Sequence, residues 1–137
     1  MKMNKNDLEK MQKIFARDSS IKLAYLFGSY AKGTAGKMSD LDIAVLLDEK
    51  LTKRQLDKKE RETKKILSTL FTNFHLVIFN KETDIVFKYN IIKDGYLIKN
   101  DTIRPRFEYE LMNISLDEEY HRRFCSSINN DAKSLVD

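Results

Sequence analysis

The stretch from Leu23 to Leu47, LAYLFGSYAKGTAGKMSDLDIAVLL, constrains what this chain can fold into more than any other. Its two apolar runs, Leu23–Phe27 and Ile43–Leu47, have the length and composition of buried strands. Between them stand Gly28-Ser29, then ten residues, then Asp40-Leu41-Asp42. Side chains alternate faces along a strand, so Asp40 and Asp42 project the same way while Leu41 enters the core. Two neighbouring carboxylates repel each other and make poor structural filler. Held together they suit Mg²⁺, which takes oxygen ligands from one or two carboxylates and completes its shell with substrate phosphates. Gly28-Ser29 ends the first strand just before a short helix predicted over Tyr30–Thr34. A glycine there lets a phosphate approach the backbone, and the serine hydroxyl and opening helix amides can donate to it.

The rest of the chain alternates helix and strand. Asn6 or Asp7 caps a predicted first helix to about Asp18, with Leu8, Met11, Ile14 and Phe15 on one face. Thr52-Lys-Arg-Gln55 reads as a capping box opening a helix to about Phe71, whose middle, Asp57–Lys65, is a solvated face of alternating charge. Phe74–Phe79 is a third strand, with Phe74, Leu76 and Ile78 on one face and His75, Val77 and Phe79 on the other. Asn80 is expected to cap a helix over 81–93, and Asp94-Gly95 turns into a short fourth strand, Tyr96–Lys99. Pro105 opens a further helix carrying Phe107, Leu111 and Ile114, with a second capping box at Ser115–Glu118 and an apolar face of Tyr120, Phe124 and Ile128 beyond it. From about residue 129 the tail is polar. The pattern specifies an α/β fold with a small mixed sheet flanked by helices.

Composition bounds the function classes. A chain of 137 residues suits one domain, over 1–137. A net charge of +4 permits nucleotide or nucleic-acid binding without demanding it, and direct nucleic-acid binding is not expected. The single cysteine, Cys125, excludes an internal disulfide framework and reads as a packing residue. No apolar run approaches the ~20 residues that span a bilayer, and the start MKMNKNDLEK lacks the apolar centre of a secretory signal. A cytoplasmic protein without membrane attachment is expected.

The order strand, Gly28-Ser29, ten-residue spacer, Asp40-x-Asp42, strand resembles the nucleotidyltransferases of the DNA polymerase beta superfamily. Lys32-Gly33-Thr34 and Ser39 also look like that family, and the resemblance spans roughly residues 7–125. The small size narrows it to the minimal nucleotidyltransferases of prokaryotes. The resemblance implies a single nucleotidyltransferase-fold domain in which Gly28, Ser29, Lys32 and Ser39 hold ATP. It also implies that Asp40 and Asp42 bind two Mg²⁺ ions, with Mn²⁺ as an alternative. Lys37 is a further candidate for neutralising phosphate charge. It implies an antitoxin that transfers AMP to a HEPN-type ribonuclease toxin, in a hetero-oligomer with it. The chain has no second domain to bind an acceptor, so the acceptor must come from another molecule. Transfer to a small molecule such as an aminoglycoside is the weaker reading on that ground.

One departure stands out. The family takes a third carboxylate from the next core strand, and here Phe74-His75-Leu76-Val77 puts His75 in that place. Imidazole serves Mg²⁺ poorly but has a pKa suited to a general base. Asp40, Asp42 and His75 are therefore the candidate catalytic residues. The alternative is a degenerate site in a protein that neutralises its toxin by binding alone. Glu82 and Asp84, beyond the strand, are not expected to replace the acid.

Overall fold

A computed structural model describes residues 4–36 and 40–115. Lys37, Ser39, Cys125, the Tyr120–Phe124–Ile128 face, the polar tail and all of the second capping box beyond Ser115 lie outside the described residues.

The element order is α1 (Lys5–Ala16), β1 (Ile21–Phe27), α2 (Gly28–Lys32), β2 (Leu41–Leu47), α3 (Lys53–Ser68), β3 (Phe74–Ile78), α4 (Ile85–Asp94), β4 (Tyr96–Lys99) and α5 (Arg104–Ser115). The sheet runs β3-β2-β1-β4, with β1 antiparallel to both its neighbours and β2 parallel to β3. The predicted mixed sheet is thus present.

Strand alternation gives each sheet face its own core. On one face Met11 and Phe15 of α1 and Leu67 of α3 cover Leu26, Leu41, Ile43, Val45 and Leu76. On the other, Tyr89, Ile91 and Ile92 of α4 and Leu111 and Met112 of α5 cover Leu23, Tyr25, Ala44 and Val77. Asp42 and His75 lie on the same face as this second core, in line with Ala44 and Val77, at the end of the sheet where β2 and β3 begin. Tyr25, Phe79 and Phe107 stack edge to face through it, with ring centroids 5.7 and 5.1 Å apart.

Local chemistry corrects three element boundaries. Helix α1 starts earlier than expected, because Asn4 is the cap: its side chain accepts from the Asn6 amide at 2.8 Å. Helix α2 starts at Gly28 rather than Tyr30 and is closed by Gly33 in the left-handed region at φ +73°. Asn80 does not cap α4. Its side chain accepts from the Leu47 amide and donates to the Leu47 carbonyl, each at 2.9 Å, supplying the end of β2 with a strand-like pair of bonds. Asp84 caps α4 instead, accepting from the Phe87 amide at 3.1 Å. The capping box at Thr52 and Gln55 forms as read, with reciprocal bonds of 3.2 and 2.8 Å.

Candidate active site

Three strands meet at one end of the sheet, and their register lays out the site. Phe27 pairs with Asp42, and Asp42 pairs with His75. A row therefore crosses the sheet from the β1–α2 junction, through the carboxylate on β2, to the imidazole on β3. The parity argument for His75 holds: it shares its face with Asp42 rather than with Leu76.

Gly28 closes one side of this row. Its φ is +72°, a conformation that side-chain-bearing residues rarely adopt. A Cβ built there would collide with Oδ2 of Asp42. The β1–α2 junction and the second carboxylate are thus in van der Waals contact, and the contact requires glycine on two counts. Helix α2 has no side-chain cap at its N-terminus, since Phe27 stands there. Ser29 is half-buried in the first turn, and its carbonyl accepts from the Thr34 amide at 2.9 Å, fixing the loop that follows.

His75 closes the other side. Its Nδ1 lies 3.8 Å from Asp42 Oδ1, longer than a hydrogen bond and close enough for charge attraction. The imidazole is 67% exposed and the Asp42 side chain 25% exposed. Burial pushes the Asp42 carboxyl above its ordinary value; a charge on His75 works against that shift, and the charge of Asp40 adds to it. Asp40 is exposed, one residue before β2 begins. Two repelling carboxylates, one of them partly desolvated, form an oxygen donor set that a divalent cation relieves, and to that extent the residues fit the expected Mg²⁺. Among the described residues no group of three or more His, Cys, Asp or Glu side chains gathers for a metal. The candidate donors are the two aspartates, which would leave most of a Mg²⁺ shell to a bound triphosphate and water.

The other expected site residues are less closely drawn in. Lys32 is exposed at the far end of α2, beside a depression lined by Leu8, Leu26, Tyr30 and Tyr96 on the α1 side of the sheet. Glu82 lines a groove with His75, but its carboxylate accepts from the Asp84 amide at 3.0 Å. Asp84 is committed to the α4 cap. Neither stands in the row.

One polar cluster escaped the sequence reading. Glu108, 1% exposed, accepts from the Tyr25 hydroxyl at 2.6 Å and from Arg104 Nε at 2.9 Å, both on Oε1. Burial and the Glu108 charge hold the Tyr25 phenol well above its ordinary value. Burial opposes the Arg104 charge, yet Glu108 outweighs it and holds the guanidinium above its usual range. Tyr25 pairs with Ala44, two residues along β2 from Asp42. The cluster therefore pins α5 over the sheet immediately behind the site. The only sequence signal is the helical spacing of Arg104 and Glu108; its partner is 83 residues from Glu108.

A family profile described as polymerase beta, nucleotidyltransferase, matches residues 9–103. No curated protein matches the sequence significantly. Among solved structures, a chain of a toxin–antitoxin with AMP-PNP is similar over 96% of this chain and 99% of its own, with a TM-score of 0.61 and 23% identity. A chain of the tri-AMPylated Shewanella oneidensis HEPN toxin in complex with MNT antitoxin is similar over 96% and 99%, with a TM-score of 0.59 and 20% identity. A chain of the toxin–antitoxin MntA-HepT gives 95%, 99%, 0.59 and 19%. At these identities the likeness establishes the fold.

Proposed function

The chain belongs to the polymerase beta nucleotidyltransferase family, and from that premise we propose that it transfers AMP from ATP to a hydroxyl of a partner protein, acting as the antitoxin of a HEPN-type ribonuclease toxin. The observation that carries the reading is the row Gly28–Asp42–His75, with Asp40 beside it. This chemistry needs a phosphate-approach point, a carboxylate pair and a proton acceptor side by side, and the row's position at one end of the sheet supports that reading. Similarity to chains of toxin–antitoxin complexes, one with AMP-PNP and one with an AMPylated toxin, supports the choice of nucleotide and acceptor.

Each residue then has a task. The glycine at residue 28 and the amides opening α2 receive the triphosphate, with the Ser29 hydroxyl as a further donor. Asp40 and Asp42 would hold Mg²⁺, which supplies charge neutralisation on the reacting phosphate and on the pyrophosphate. His75 accepts the proton of the acceptor hydroxyl as its oxygen bonds to the α-phosphorus, while the bond from that phosphorus to pyrophosphate breaks. Its exposure leaves it open to an incoming hydroxyl.

A second reading has its own observation. Among the described residues only two carboxylates, Asp40 and Asp42, stand at the row, and His75 stands where the family's third acid is expected, which favours neutralisation by binding alone. The two separate on one experiment. In the transferase reading, label from α-phosphate-labelled ATP moves to the purified HEPN-type toxin, and Asp42→Asn and His75→Ala abolish the transfer. In the binding reading no label moves, the toxin is still neutralised, and His75→Asp creates transfer by restoring the acid.

A further inference from the structure

We propose that the free edge of β3 is the docking strand for an extended segment of the acceptor protein, the segment that carries the reacting hydroxyl to the Asp42–His75 end of the row. The inference rests on the transferase reading above and adds to it the direction and form in which the acceptor enters.

Direction follows from the chemistry. In an in-line displacement the nucleophile attacks opposite the leaving group. The triphosphate approach point at Gly28 lies on the β1 side of Asp42, and His75 lies on the β3 side. The hydroxyl must therefore arrive from the β3 side, and among the described residues β3 is the last strand of the sheet in that direction.

Form follows from the backbone. The Leu41 amide donates to the Asn73 carbonyl at 3.1 Å, and the Phe79 amide donates to the Val45 carbonyl at 2.9 Å. In a parallel ladder these bonds commit odd-numbered residues of β3 to β2 and turn the N–H and C=O groups of Phe74 and Leu76 outward. The Ile78 carbonyl is consumed by the Lys81 and Glu82 amides, so the outward-facing ladder ends there. Natural sheets guard such an edge with lysine, proline, bulges or a covering element. The β3 sequence Phe-His-Leu-Val-Ile has no lysine, proline or acid, and its pairing with β2 runs without a bulge. Each edge strand has a helix against it, α1 on β4 and α3 on β3, but at β4 Lys99 Nζ also donates to the carbonyls of Phe15 and Asp18 at 2.8 and 2.9 Å. Among the described residues nothing comparable bonds to the β3 edge.

A groove of about 220 Å³ runs beside this edge, lined by Glu60, His75, Leu76, Lys81, Glu82 and Phe87. Its walls are set in advance: Lys81 donates to Asp57 and Glu60 at 2.7 Å each, and Glu82 is held by the Asp84 amide. An added strand would make main-chain bonds to Phe74 and Leu76, place alternate side chains in the groove, and bring its hydroxyl residue level with His75.

The test uses the full chain, ATP with Mg²⁺ and the purified HEPN-type toxin. Leu76→Pro deletes one outward N–H, a position where an edge strand tolerates proline. It should raise the KM for the toxin about three- to tenfold, the effect of one lost hydrogen bond, and leave ATP affinity unchanged. Because Leu76 also packs in the core, Phe74→Pro at the first strand residue repeats the test, with thermal melts on both. Amide exchange read on the parent chain needs no variant. The Phe74 and Leu76 amides should exchange freely in the chain alone and slow markedly in the toxin complex. Unchanged KM in folded proline variants overturns the proposal. So does exchange that the toxin leaves unchanged, or that is already slow in the chain alone because a second copy or another segment of the chain takes the edge. Absence of labelled toxin with the parent chain instead rejects the transferase reading, while the exchange result still decides whether this edge docks the toxin.

Discussion

Replacing Gly28 with alanine should injure stability and catalysis through separate causes. Alanine at φ +72° carries the strain of the left-handed region, about 1–2 kcal/mol. For a chain of 137 residues that corresponds to a fall in Tm of roughly 3–8 °C. The second cause is local: the new Cβ meets Oδ2 of Asp42, so the carboxylate or the start of α2 must shift. A misplacement of ~1 Å at a reacting centre lowers rates on the order of 10²-fold. AMP transfer should therefore drop by about that factor at temperatures where the variant is fully folded by circular dichroism. Gly33→Ala is the matched control, since Gly33 sits at φ +73° at the other end of α2. It should lose comparable stability and keep most of its transfer activity. If Gly28→Ala loses only stability, or Gly33→Ala loses transfer equally, the contact between Gly28 and Asp42 does not position the reaction.

Other outcomes follow from the same structure. Asp42→Asn should abolish transfer without loss of stability. The folded state already disfavours the Asp42 charge and holds its pKa above the unfolded value, so protonation stabilises the fold; that contribution is full below the unfolded pKa and is lost as pH rises through the folded one, a dependence that the Asn variant should lack in melts from pH 3 to 7. Asn80→Ala removes both bonds to Leu47 and should cost about 1–3 kcal/mol by urea unfolding; a neutral result would mean that water replaces the clamp. Tyr25→Phe deprives buried Glu108 of its 2.6 Å donor and should cost a similar ~1–3 kcal/mol, with slower transfer only to the extent that α5 loosens over the site. Asp18 runs opposite to Asp42. Burial opposes its charge, but Ser20 and Lys59 hold its pKa below the unfolded value, so its contribution is present above that value and lost as pH falls through the lowered one; Asp18→Ala should weaken acid sensitivity in that range.

What the sequence disclosed was what depends on short-range periodicity. The strands around Gly28-Ser29 and Asp40-x-Asp42 were readable because apolar runs of strand length are bounded by turn residues. The placement of His75 beside Asp42 was readable because alternation has a period of two and the strand could be aligned by its apolar face. The capping box at Thr52 depends on four consecutive residues and formed as expected. The two misread caps involve residues with chemically equivalent options. Asn4 and Asn6 can each cap a helix, and the two residues gained with Asn4, including the Leu8 amide bond to its carbonyl, favour the earlier start. Asn80 is as good a cap as Asp84 by composition, but the exposed end of β2 beside it claims its side-chain amide, and no local pattern announces that. The Tyr25–Glu108–Arg104 cluster joins β1 to α5, so its existence depends on the assembled sheet. The collision that makes Gly28 obligatory is likewise a contact between the β1–α2 junction and β2, visible only once Phe27 and Asp42 are in register.

Transfer of a nucleotide from the row Gly28–Asp42–His75 to a protein hydroxyl is read from the intact mass of the HEPN-type toxin after co-expression with this chain. A toxin heavier by one or more AMP groups is expected, and an unmodified toxin when the chain carries Asp42→Asn. A toxin that is bound and silenced by the parent chain yet has its unmodified mass would contradict transfer, and would leave this site as a surface for masking rather than for chemistry.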